Sequence, residues 1–429
     1  MSIIRRASKA VASITVISFT TLALLELALR VYPAAIPMSF LVKFDPLIRG
    51  RIAAELKLPT RQSFRNIPRD DGGPELLVPA PGMVLDQGFR DVGAVNPQHT
   101  DAKGFCNEPG IDRDEGEIEI LALGDSFTWC LAVPPGDAWP AQLADITGLK
   151  SYNLGIQAIG PHEYLQLLKW FGLAAGPKIV VMNIYEGNDY RDTFSYWAWV
   201  ESMATGKVAD EAKSRPQSGF LRRYSYVVST VAAGYAVWRE KSENQKVSEG
   251  IAAAAGNNDK ASLRYYLATR NLHPDFRYKL EFPSGSLAFN PENGDLDEPN
   301  YAELVIQGIG DITLYDSALE EFVGLGNAYG FEPVVSYTPA AYTAYRSQVR
   351  FSDPSLYRLL GDFSDLQRRY FEERAPKIGY RFIDLTEDMQ REAGAGGLER
   401  LLYFPLNRHL TPAGHRVVAE TLARELGQP

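Results

Sequence analysis

The sequence is poor in cysteine and histidine and has no excess of basic charge. Its 429 residues include only Cys106 and Cys130, which excludes a disulfide-dense scaffold, and no CxxC pair supports a zinc site. Acidic residues outnumber basic ones by 53 to 44, a formal net charge of −9, which argues against nucleic acid as the main partner. A hydrophobic content of 45% excludes a mainly disordered chain. Any catalytic histidine must come from five residues: His99, His162, His273, His409 and His415.

One apolar run near the N-terminus is long enough to cross a bilayer. It covers Ala10–Leu29 and is interrupted only by Glu26. About 20 apolar residues span a membrane as a helix. Arg5, Arg6 and Lys9 precede the run and Arg30 follows it, which predicts a cytoplasmic N-terminus. We expect one crossing of the inner (cytoplasmic) membrane, with the rest of the chain in the periplasm.

A cleaved signal peptide is the alternative for this run. The small residues Ala34 and Ala35 could form a cleavage site. The run is longer than the apolar region of about 7–15 residues that signal peptides have, which favours an uncleaved anchor. A mature N-terminus near residue 36 would exclude the anchor.

The composition divides the chain into four parts. Residues 1–9 are predicted to be a cytoplasmic stub and residues 10–30 the transmembrane anchor. Residues 31–116, rich in Pro, Gly and Asp, are predicted to form a stalk and an N-terminal collar. Residues 117–429 are predicted to form an α/β domain with an insertion at about 191–307 that contains a helix around residues 224–241.

Five short apolar runs, each followed by turn residues and a stretch of helical periodicity, predict the α/β domain. Alternation of this kind predicts a parallel sheet covered by helices on both faces, a three-layer sandwich. The predicted strands are Glu117–Leu123, Ser151–Gly155, Lys178–Tyr185, Glu332–Thr338 and Tyr380–Leu385. The predicted helices include Asp137–Thr147, Pro161–Leu173, Leu314–Tyr329, Pro354–Ala375 and Thr411–Leu426.

The loop after the first strand reads Gly124-Asp125-Ser126 and places a serine at a strand-to-helix turn. Backbone N–H groups at a helix N-terminus favour a developing anion. Thr128 stands where a GxSxG motif has its second glycine, so the nucleophile elbow of α/β-hydrolases is not supported. Taken alone, the motif is better explained as a serine that caps a helix.

Three further loops carry residues that could act together with this serine. Gly155 follows the second strand and could present a backbone N–H, and Gly187-Asn188-Asp189 follows the third strand and offers an amide. Asn407 to His415 precedes the last helix and contains His409. In a parallel sheet these loops end on one edge, which gathers a nucleophile, oxyanion donors and a base for acyl transfer.

These four blocks, in this order, resemble the GDSL/SGNH hydrolase superfamily. Within it, the runs GDSFTWC, NLG and LYFPLNRHLTPAGH and the N-terminal anchor are most similar to membrane-anchored bacterial proteins related to the alginate O-acetyltransferase group. The resemblance implies a five-stranded SGNH (flavodoxin-like) sheet, Ser126 as nucleophile and His409 as base. It also implies an oxyanion hole from the Ser126 and Gly155 N–H groups and the Asn188 side chain. Gly124, Asp125, Gly187 and Asp189 would support the motif loops.

The histidine block departs from the family pattern, which has an aspartate two or three residues before the histidine. Asn407 stands two residues before His409. In the serine-protease triad, changing the aspartate to asparagine lowers the rate about 10⁴-fold. Three interpretations stay open: a Ser126–His409 dyad oriented by Asn407 or a backbone carbonyl, a carboxylate from Asp384 or Glu387, or a slow or inactive enzyme.

The remaining polar and aromatic residues have simpler explanations beside the functional ones. Asp125 and Asp189 are expected to pin their own loops, and His415 to pack in the last helix. His162 could line the pocket or lie at the surface, and a Cys106–Cys130 bridge is permitted outside the cytoplasm. The aromatic residues Tyr196, Trp197 and Trp199 could stack on a sugar ring or belong to the core.

The sequence therefore predicts an extracytoplasmic serine esterase or O-acyltransferase that acts on acyl esters, most simply acetyl esters, of carbohydrate. The expected partners are an acylated polysaccharide, the membrane and, for a transferase, a polytopic membrane protein that donates acyl groups. No cofactor, metal or nucleic acid is expected. The alternative is a catalytically weak or inactive polysaccharide-binding or assembly protein on the same fold.

Overall fold

The computed structural model describes most of the chain. The described residues are 2–41, 43–56, 64–85, 91, 98–108, 111, 118–204, 220–239, 273, 276–289 and 297–427. Much of the predicted insertion (residues 205–219, 240–272, 274–275 and 290–296) therefore lies outside them.

The chain forms two compact units. The first consists of Met1–Thr60 and Ala212–Glu243, and the second of Arg61–Glu211 and Asn244–Pro429. The described helices are α1 (Ser2–Val31), α2 (Met38–Leu41), α3 (Pro46–Glu55), α4 (Trp139–Thr147), α5 (Pro161–Leu167), α6 (Asp189–Ala204), α7 (Phe220–Tyr224), α8 (226–239), α9 (Glu298–Ile306), α10 (Asp316–Tyr329), α11 (Ala341–Ala344), α12 (Ser355–Ile378), α13 (Thr386–Gly396) and α14 (Pro412–Glu425).

The strands of the described residues lie in the second unit and pair in four sheets. They are β1 (Phe64–Ile67), β2 (Leu76–Pro79), β3 (Val84–Leu85), β4 (Gln98–His99), β5 (Ile120–Leu123), β6 (Ser151–Asn153), β7 (Ile179–Tyr185), β8 (Tyr278–Phe282), β9 (Gly285–Phe289), β10 (Glu332–Thr338), β11 (Val349–Phe351) and β12 (Arg381–Asp384). Two antiparallel pairs, β1–β2 and β3–β4, form within the predicted collar.

The central sheet is parallel and has the order β12-β10-β7-β5-β6. All four residues of β5 and six of the seven in β7 are buried, because helices cover both faces. This confirms the predicted five-stranded, three-layer α/β fold. After β5, the chain forms β6 along one edge of β5 and then β7 along its other edge. The carboxyl ends of β5 and β7 thus form the switch point at which open α/β sheets bind ligands.

The five predicted strands are confirmed, with their ends shortened by up to three residues. The sequence did not predict α13 or the three-stranded antiparallel sheet β11-β8-β9. That sheet joins a hairpin of the insertion to β11, which follows β10 in the chain. The insertion is therefore paired with the α/β domain through backbone hydrogen bonds.

The N-terminal helix α1 has the character predicted for an anchor. Ser13–Val31 is the one stretch among the described helices that is long and apolar enough to cross a membrane, and none of it is buried. A cleaved signal sequence and an uncleaved membrane span both meet this description.

Candidate active site

The turn after β5 positions Ser126. The Asp125 carboxylate accepts the Phe127 N–H at 2.8 Å, and the Asp125 carbonyl accepts the N–H groups of Thr128 and Trp129. A Cβ atom on Gly124 would lie 2.1 Å from Thr128 Oγ1, so only glycine fits there. The expected helix does not begin at Ser126: residues 126–131 form turns, and α4 starts at Trp139. Local N–H groups, rather than a long helix, surround the serine.

Ser126 and His409 meet as the sequence predicted. His409 Nε2 lies 2.8 Å from Ser126 Oγ, and both residues are buried. The Phe127 ring stacks on the His409 imidazole, with 4.7 Å between centroids, and also on the Tyr185 ring. The stacking fixes the plane of the imidazole relative to the serine hydroxyl.

Asn407 contacts the backbone of the histidine. Its side-chain oxygen accepts the His409 N–H at 2.9 Å, which closes a tight turn through Arg408 at φ +63°. The Asn407 amide nitrogen donates to no group in the described part of the chain. Asn407 therefore sets the loop conformation, and its side chain already lies beside the histidine.

A carboxylate that the sequence did not predict supports this loop. Asp91 is buried and accepts the N–H groups of Leu406 at 2.7 Å and Asn407 at 2.6 Å. It belongs to the predicted collar, 315 residues before Leu406, and no motif or periodicity marks it. Its negative charge is held next to the histidine loop by backbone donors.

Asp384 and Glu387, the other carboxylates proposed for His409, lie in a different place. Asp384 accepts from Arg368 at 2.6 Å and from the Thr386 N–H at 2.9 Å. Both carboxylates line a charged cleft with Arg391 and Arg424 at the β12 edge of the sheet. Because Asp384 is engaged there, it does not replace the missing aspartate of the histidine block.

Gly155 occupies the predicted loop, but its N–H is engaged. It donates to Asn153 Oδ1 at 2.8 Å, while Asn153 Nδ2 donates to the Thr128 carbonyl at 2.7 Å. A Cβ atom on Gly155 would lie 2.6 Å from Trp129 N, so glycine allows the two motif loops to touch. In this structure Gly155 serves close packing and does not offer a donor to an oxyanion.

Two donors at the sheet edge remain unused. The Ser126 N–H and the Asn188 side-chain NH₂ donate to no group within the described residues, and Asn188 Oδ1 is buried without a partner there. Asn188 is buried at the start of α6, where its carbonyl accepts the Asp192 N–H at 3.0 Å. Asp189 accepts from the Tyr185 N–H and the Tyr164 hydroxyl and so pins its loop. Burial and then the nearby Asp125 raise the pKa of Asp189 well above its usual value.

The insertion contributes a residue next to the site, Glu298, that the sequence did not predict. Glu298, at the start of α9, forms a buried ion pair with Arg408 at 3.4 Å. A Cβ atom on Gly187 would lie 2.7 Å from Glu298 Oε1. Glu298 thus lies between the loop that carries Asn188 and the loop that carries His409.

His415 and His162 have structural environments. His415 is buried in α14 and accepts the Trp139 N–H at Nδ1, as expected for packing. Burial, and then His409, lower its pKa to about 3, so it stays neutral. His162 is buried and stacks on Tyr196. The described residues contain no group of three or more His, Cys, Asp or Glu that could hold a metal ion.

Glu186, two residues before Asn188, is an ionisable group buried under the site. Its carboxylate accepts from the Thr343 and Ser364 hydroxyls at 2.7 and 3.0 Å. Burial raises its pKa to about 7, although these hydrogen bonds act to lower it.

We expect Glu186 to make stability fall as pH rises. Its pKa is about 7 in the folded chain and about 4.3 when exposed. Its proton therefore stabilises the fold fully below about pH 4.3, and this contribution is lost as the pH rises through about 7. The free energy of unfolding of the wild type, relative to Glu186→Gln, should fall by up to about 3 kcal/mol between these limits. Urea unfolding of both proteins across this range measures the difference, and a flat difference contradicts the assignment.

A disulfide joins the collar to the nucleophile turn. Cys106 and Cys130 are bonded, with 6.0 Å between their Cα atoms. The neighbouring Asn107 exchanges hydrogen bonds with the Asn153 backbone N–H and carbonyl at 2.8 and 3.1 Å. Residues 106 and 107 therefore tie the collar to the turn after β5 and to the end of β6.

Loss of this disulfide should destabilise the second unit. Closing a loop of 24 residues is worth about 3 kcal/mol in the unfolded chain. Cys106→Ser/Cys130→Ser should show this loss in the free energy of unfolding measured in urea. Reductant should destabilise the wild type by the same amount and leave the double variant unchanged. Two alkylatable thiols in the wild type without prior reduction would contradict the pairing.

No protein-family model matches the chain, and neither does any curated protein sequence. Several solved structures are similar to it at low identity. They include a protein of Desulfitobacterium hafniense assigned to the G-D-S-L family of lipolytic proteins (11% identity, 72% of this chain and 98% of that chain covered, TM-score 0.34). Another is an acetylxylan esterase from Geobacillus stearothermophilus (13%, 72% and 96%, TM-score 0.34).

An extracellular lipase from Streptomyces rimosus is also similar (12% identity, 71% of this chain and 98% of that chain covered, TM-score 0.37). The arrangement of the site residues on the sheet is more informative than these low similarities. A parallel five-stranded sheet carries Ser126 after β5, Asn188 after β7 and His409 before α14, with Ser126 and His409 in contact. The fold and this contact agree with the resemblance to GDSL/SGNH hydrolases on which the sequence prediction was based.

Proposed function

We propose that the chain is an ester hydrolase with Ser126 as nucleophile and His409 as general base. The observation that carries this proposal is the 2.8 Å contact between Ser126 Oγ and His409 Nε2. The loops after β5 and β7 add the Ser126 N–H and the Asn188 amide at the same edge of the sheet. A nucleophile within hydrogen-bond reach of a base, with donors for an oxyanion, is the arrangement that acyl transfer requires.

The reaction would proceed through a covalent ester. Ser126 Oγ attacks the acyl carbon while its proton passes to His409 Nε2. The Ser126 N–H and the Asn188 amide hold the negative oxygen of the tetrahedral intermediate. The bond from the acyl carbon to the alcohol oxygen breaks, and His409 gives its proton to that oxygen. Water, activated by His409, then releases the acyl group as a carboxylic acid and regenerates Ser126.

The finer proposal is that the alcohol is a carbohydrate hydroxyl and the acyl group is acetyl. The motif resemblance supports this choice. A second sugar hydroxyl in place of water would make the chain an O-acetyltransferase, supplied by a polytopic membrane protein that donates acyl groups.

We also propose that the second unit lies in the periplasm, tethered to the inner membrane by α1. The Cys106–Cys130 disulfide supports an oxidising compartment. N-terminal sequencing of the mature chain tests the tether, since a start near residue 36 contradicts it.

A fluorophosphonate probe tests the catalytic proposal. Such probes phosphonylate an activated serine, so the full-length wild type should be labelled and Ser126→Ala should not. The chain offers a matched control, because Ser317 Oγ also lies 3.0 Å from a histidine nitrogen, His162 Nε2. Ser317→Ala should keep the labelling. Labelling that depends on Ser317 would refute the site, and no labelling from neutral to alkaline pH would favour the inactive polysaccharide-binding alternative.

A further inference from the structure

A cleft of about 460 Å³ opens beside the loop after β6. One wall is residues 157–160 of that loop, and other walls come from β1–β2 and α6. The loop starts against the nucleophile turn, where the Ile156 N–H donates to the Gly124 carbonyl at 3.1 Å. We call this cavity the Trp199 cleft. Its wall at residues 157–160 directly follows the residue that bonds to the Ser126 turn, but Ser126 itself does not line the cleft.

Two aromatic rings of α6 line the Trp199 cleft, and both are partly exposed: Tyr196 and Trp199. The guanidinium of Arg69 lies 5.2 Å from the Tyr196 ring centre and 6.0 Å from that of Trp199. His162 stacks on Tyr196 with 3.8 Å between centroids. Trp197 differs, because its indole N–H donates to the Leu314 carbonyl at 3.0 Å. The stacking holds the rings in place, so little conformational entropy is lost when they bind a ligand.

The polar groups of the Trp199 cleft are mainly acidic. Arg69 is its one basic lining residue and is neutralised by ion pairs with Glu163 and Asp71. Glu75 and Asp192 line the cleft as well, and Asp192 pairs at 3.0 Å with Arg191, which does not line it. Burial and then Arg69 lower the pKa of His162 to about 4, so this ring adds no positive charge at neutral pH. An acidic wall repels a polyanion and offers carboxylate oxygens to hydroxyl donors.

We propose that the Trp199 cleft binds a neutral saccharide chain and so selects the substrate of the Ser126 site. A sugar ring has an apolar face that packs on aromatic rings and an edge of hydroxyls that carboxylates and amides can accept. Few convergent polar groups on an aromatic wall are what such a ligand requires. This proposal rests on the proposed carbohydrate esterase activity. It disfavours uronic acid polymers, because the lining carboxylates Glu75, Glu163 and Asp192 outnumber the one basic lining residue, Arg69.

Direct binding tests the cleft without catalysis. Full-length Ser126→Ala would be titrated calorimetrically with xylohexaose, a hexamer of galacturonate and a hexamer of glucosamine. We expect the neutral hexamer to bind more tightly than the uronate by at least tenfold. Ser126→Ala/Trp199→Ala should lose at least tenfold in affinity for it. Equal or tighter binding of the uronate, or binding only of the cationic hexamer, would overturn the assignment.

Two further variants separate binding from folding. Ser126→Ala/Ser195→Trp fills the cleft from an exposed position on α6 without removing any packing, and it should also abolish xylohexaose binding. Ser126→Ala/Trp170→Ala removes an exposed tryptophan that does not line the cleft and should bind normally. If the cleft variants bind like their parent, the cleft proposal fails while fluorophosphonate labelling of Ser126 can still succeed.

The first unit carries a separate feature, an apolar stripe on α8. Val231, Tyr235 and Trp238 are 67%, 59% and 61% exposed. Their spacing of four and three residues places them on one face of the helix. Large apolar side chains in a row on one exposed face mark an interaction surface.

The start of α8 is bonded to the end of the anchor helix. Glu26 of α1 accepts the N–H groups of Tyr226 and Val227 and the Ser225 hydroxyl at 2.8–3.1 Å. Arg30 pairs with Glu26 at 2.7 Å and lies 4.9 Å from the Tyr226 ring centre. The end of a predicted membrane span is thereby fixed to the N-terminus of α8.

We infer that α8 lies in the headgroup layer of the bilayer, with the Val231–Tyr235–Trp238 stripe toward the acyl chains. Tyrosine and tryptophan are the residues enriched at this depth. The inference depends on α1 crossing the membrane, which resistance of the full-length chain to carbonate extraction tests separately.

Quenching by brominated lipid tests the stripe. The full-length protein would be placed in liposomes of lipid brominated at acyl carbons 6 and 7, and its tryptophan emission compared with that in unbrominated liposomes. We expect a quenched component that Trp238→Phe removes and Trp170→Phe does not. Equal quenching in the wild type and Trp238→Phe would overturn the lipid contact, even where the protein resists extraction.

Discussion

Alanine at Ser126 is expected to lower kcat for an acetyl ester by at least about 10⁴-fold, and alanine at His409 by a similar factor. The reason is the 2.8 Å contact between Ser126 Oγ and His409 Nε2, which makes the two side chains one proton-transferring unit. The residual rate would come from binding and from the donors at Ser126 and Asn188. Steady-state kinetics on a chromogenic acetyl ester measure both variants.

The double variant sharpens this expectation. Residues that act as a unit are not additive, so Ser126→Ala/His409→Ala should be about as slow as either single variant. If the loss of kcat in the double variant equals the product of the two single losses, His409 acts independently of Ser126. Ser317→Ala removes the hydroxyl of a second Ser–His contact among the described residues, the one with His162, and provides the matched control. It should retain activity within a few-fold of the wild type.

The sequence predicted the sheet and the serine–histidine pair for a physical reason. Strands such as β7 are buried on both faces and therefore carry an uninterrupted apolar run. Loops that follow parallel strands must share one edge, so Ser126 and Asn188 were placed together by topology alone. His409 was predicted because few histidines were available and because its block precedes the last helix.

The features that the sequence missed depend on contacts distant in the chain. Asp91 comes from an irregular segment, and its role follows only from the Leu406 and Asn407 N–H groups. Glu298 begins a helix of the insertion, and its role comes from a pair with Arg408 across 110 residues. A single buried ion pair or acceptor leaves no periodic pattern in a sequence. Such residues become visible only when the tertiary contacts are known.

The oxyanion donors show a finer limit of sequence reasoning. A glycine after β6 was expected to offer its N–H, but Gly155 donates to Asn153. The glycine is required all the same, because the nucleophile turn packs against its Cα. A motif can thus identify the required glycine without showing whether it is needed for its N–H group or for close packing.

Asn407→Asp is expected to raise kcat by at least about tenfold, since the reverse change in a protease triad costs about 10⁴. The Asn407 side chain already reaches the histidine, with its oxygen on the His409 N–H at 2.9 Å. An aspartate would keep this bond and replace the amide NH₂, which has no partner among the described residues, with a charged oxygen. That charge stabilises the imidazolium formed when Ser126 attacks.

Kinetics of the purified full-length variant across pH would measure the gain. Asn327→Asp is the control, because it adds the same charge at an exposed position of α10, near the opposite edge of the sheet. It should leave kcat unchanged. A gain in Asn407→Asp without one in Asn327→Asp would establish a weakened triad.

No gain in Asn407→Asp would favour a Ser126–His409 dyad or a different acid, and Asp91 is a buried carboxylate in the loop's hydrogen-bond network. Asp91→Asn removes the charge and keeps one of the two acceptor oxygens that the Leu406 and Asn407 N–H groups use. If Asp91 acts electrostatically, kcat falls in Asp91→Asn and recovers in Asp91→Asn/Asn407→Asp. If Asp91 only holds the backbone N–H groups of Leu406 and Asn407, the single variant unfolds at a lower temperature and the second substitution does not restore kcat. The wild type, the two single variants and the double variant therefore show which position, 91 or 407, contributes more to kcat through its negative charge.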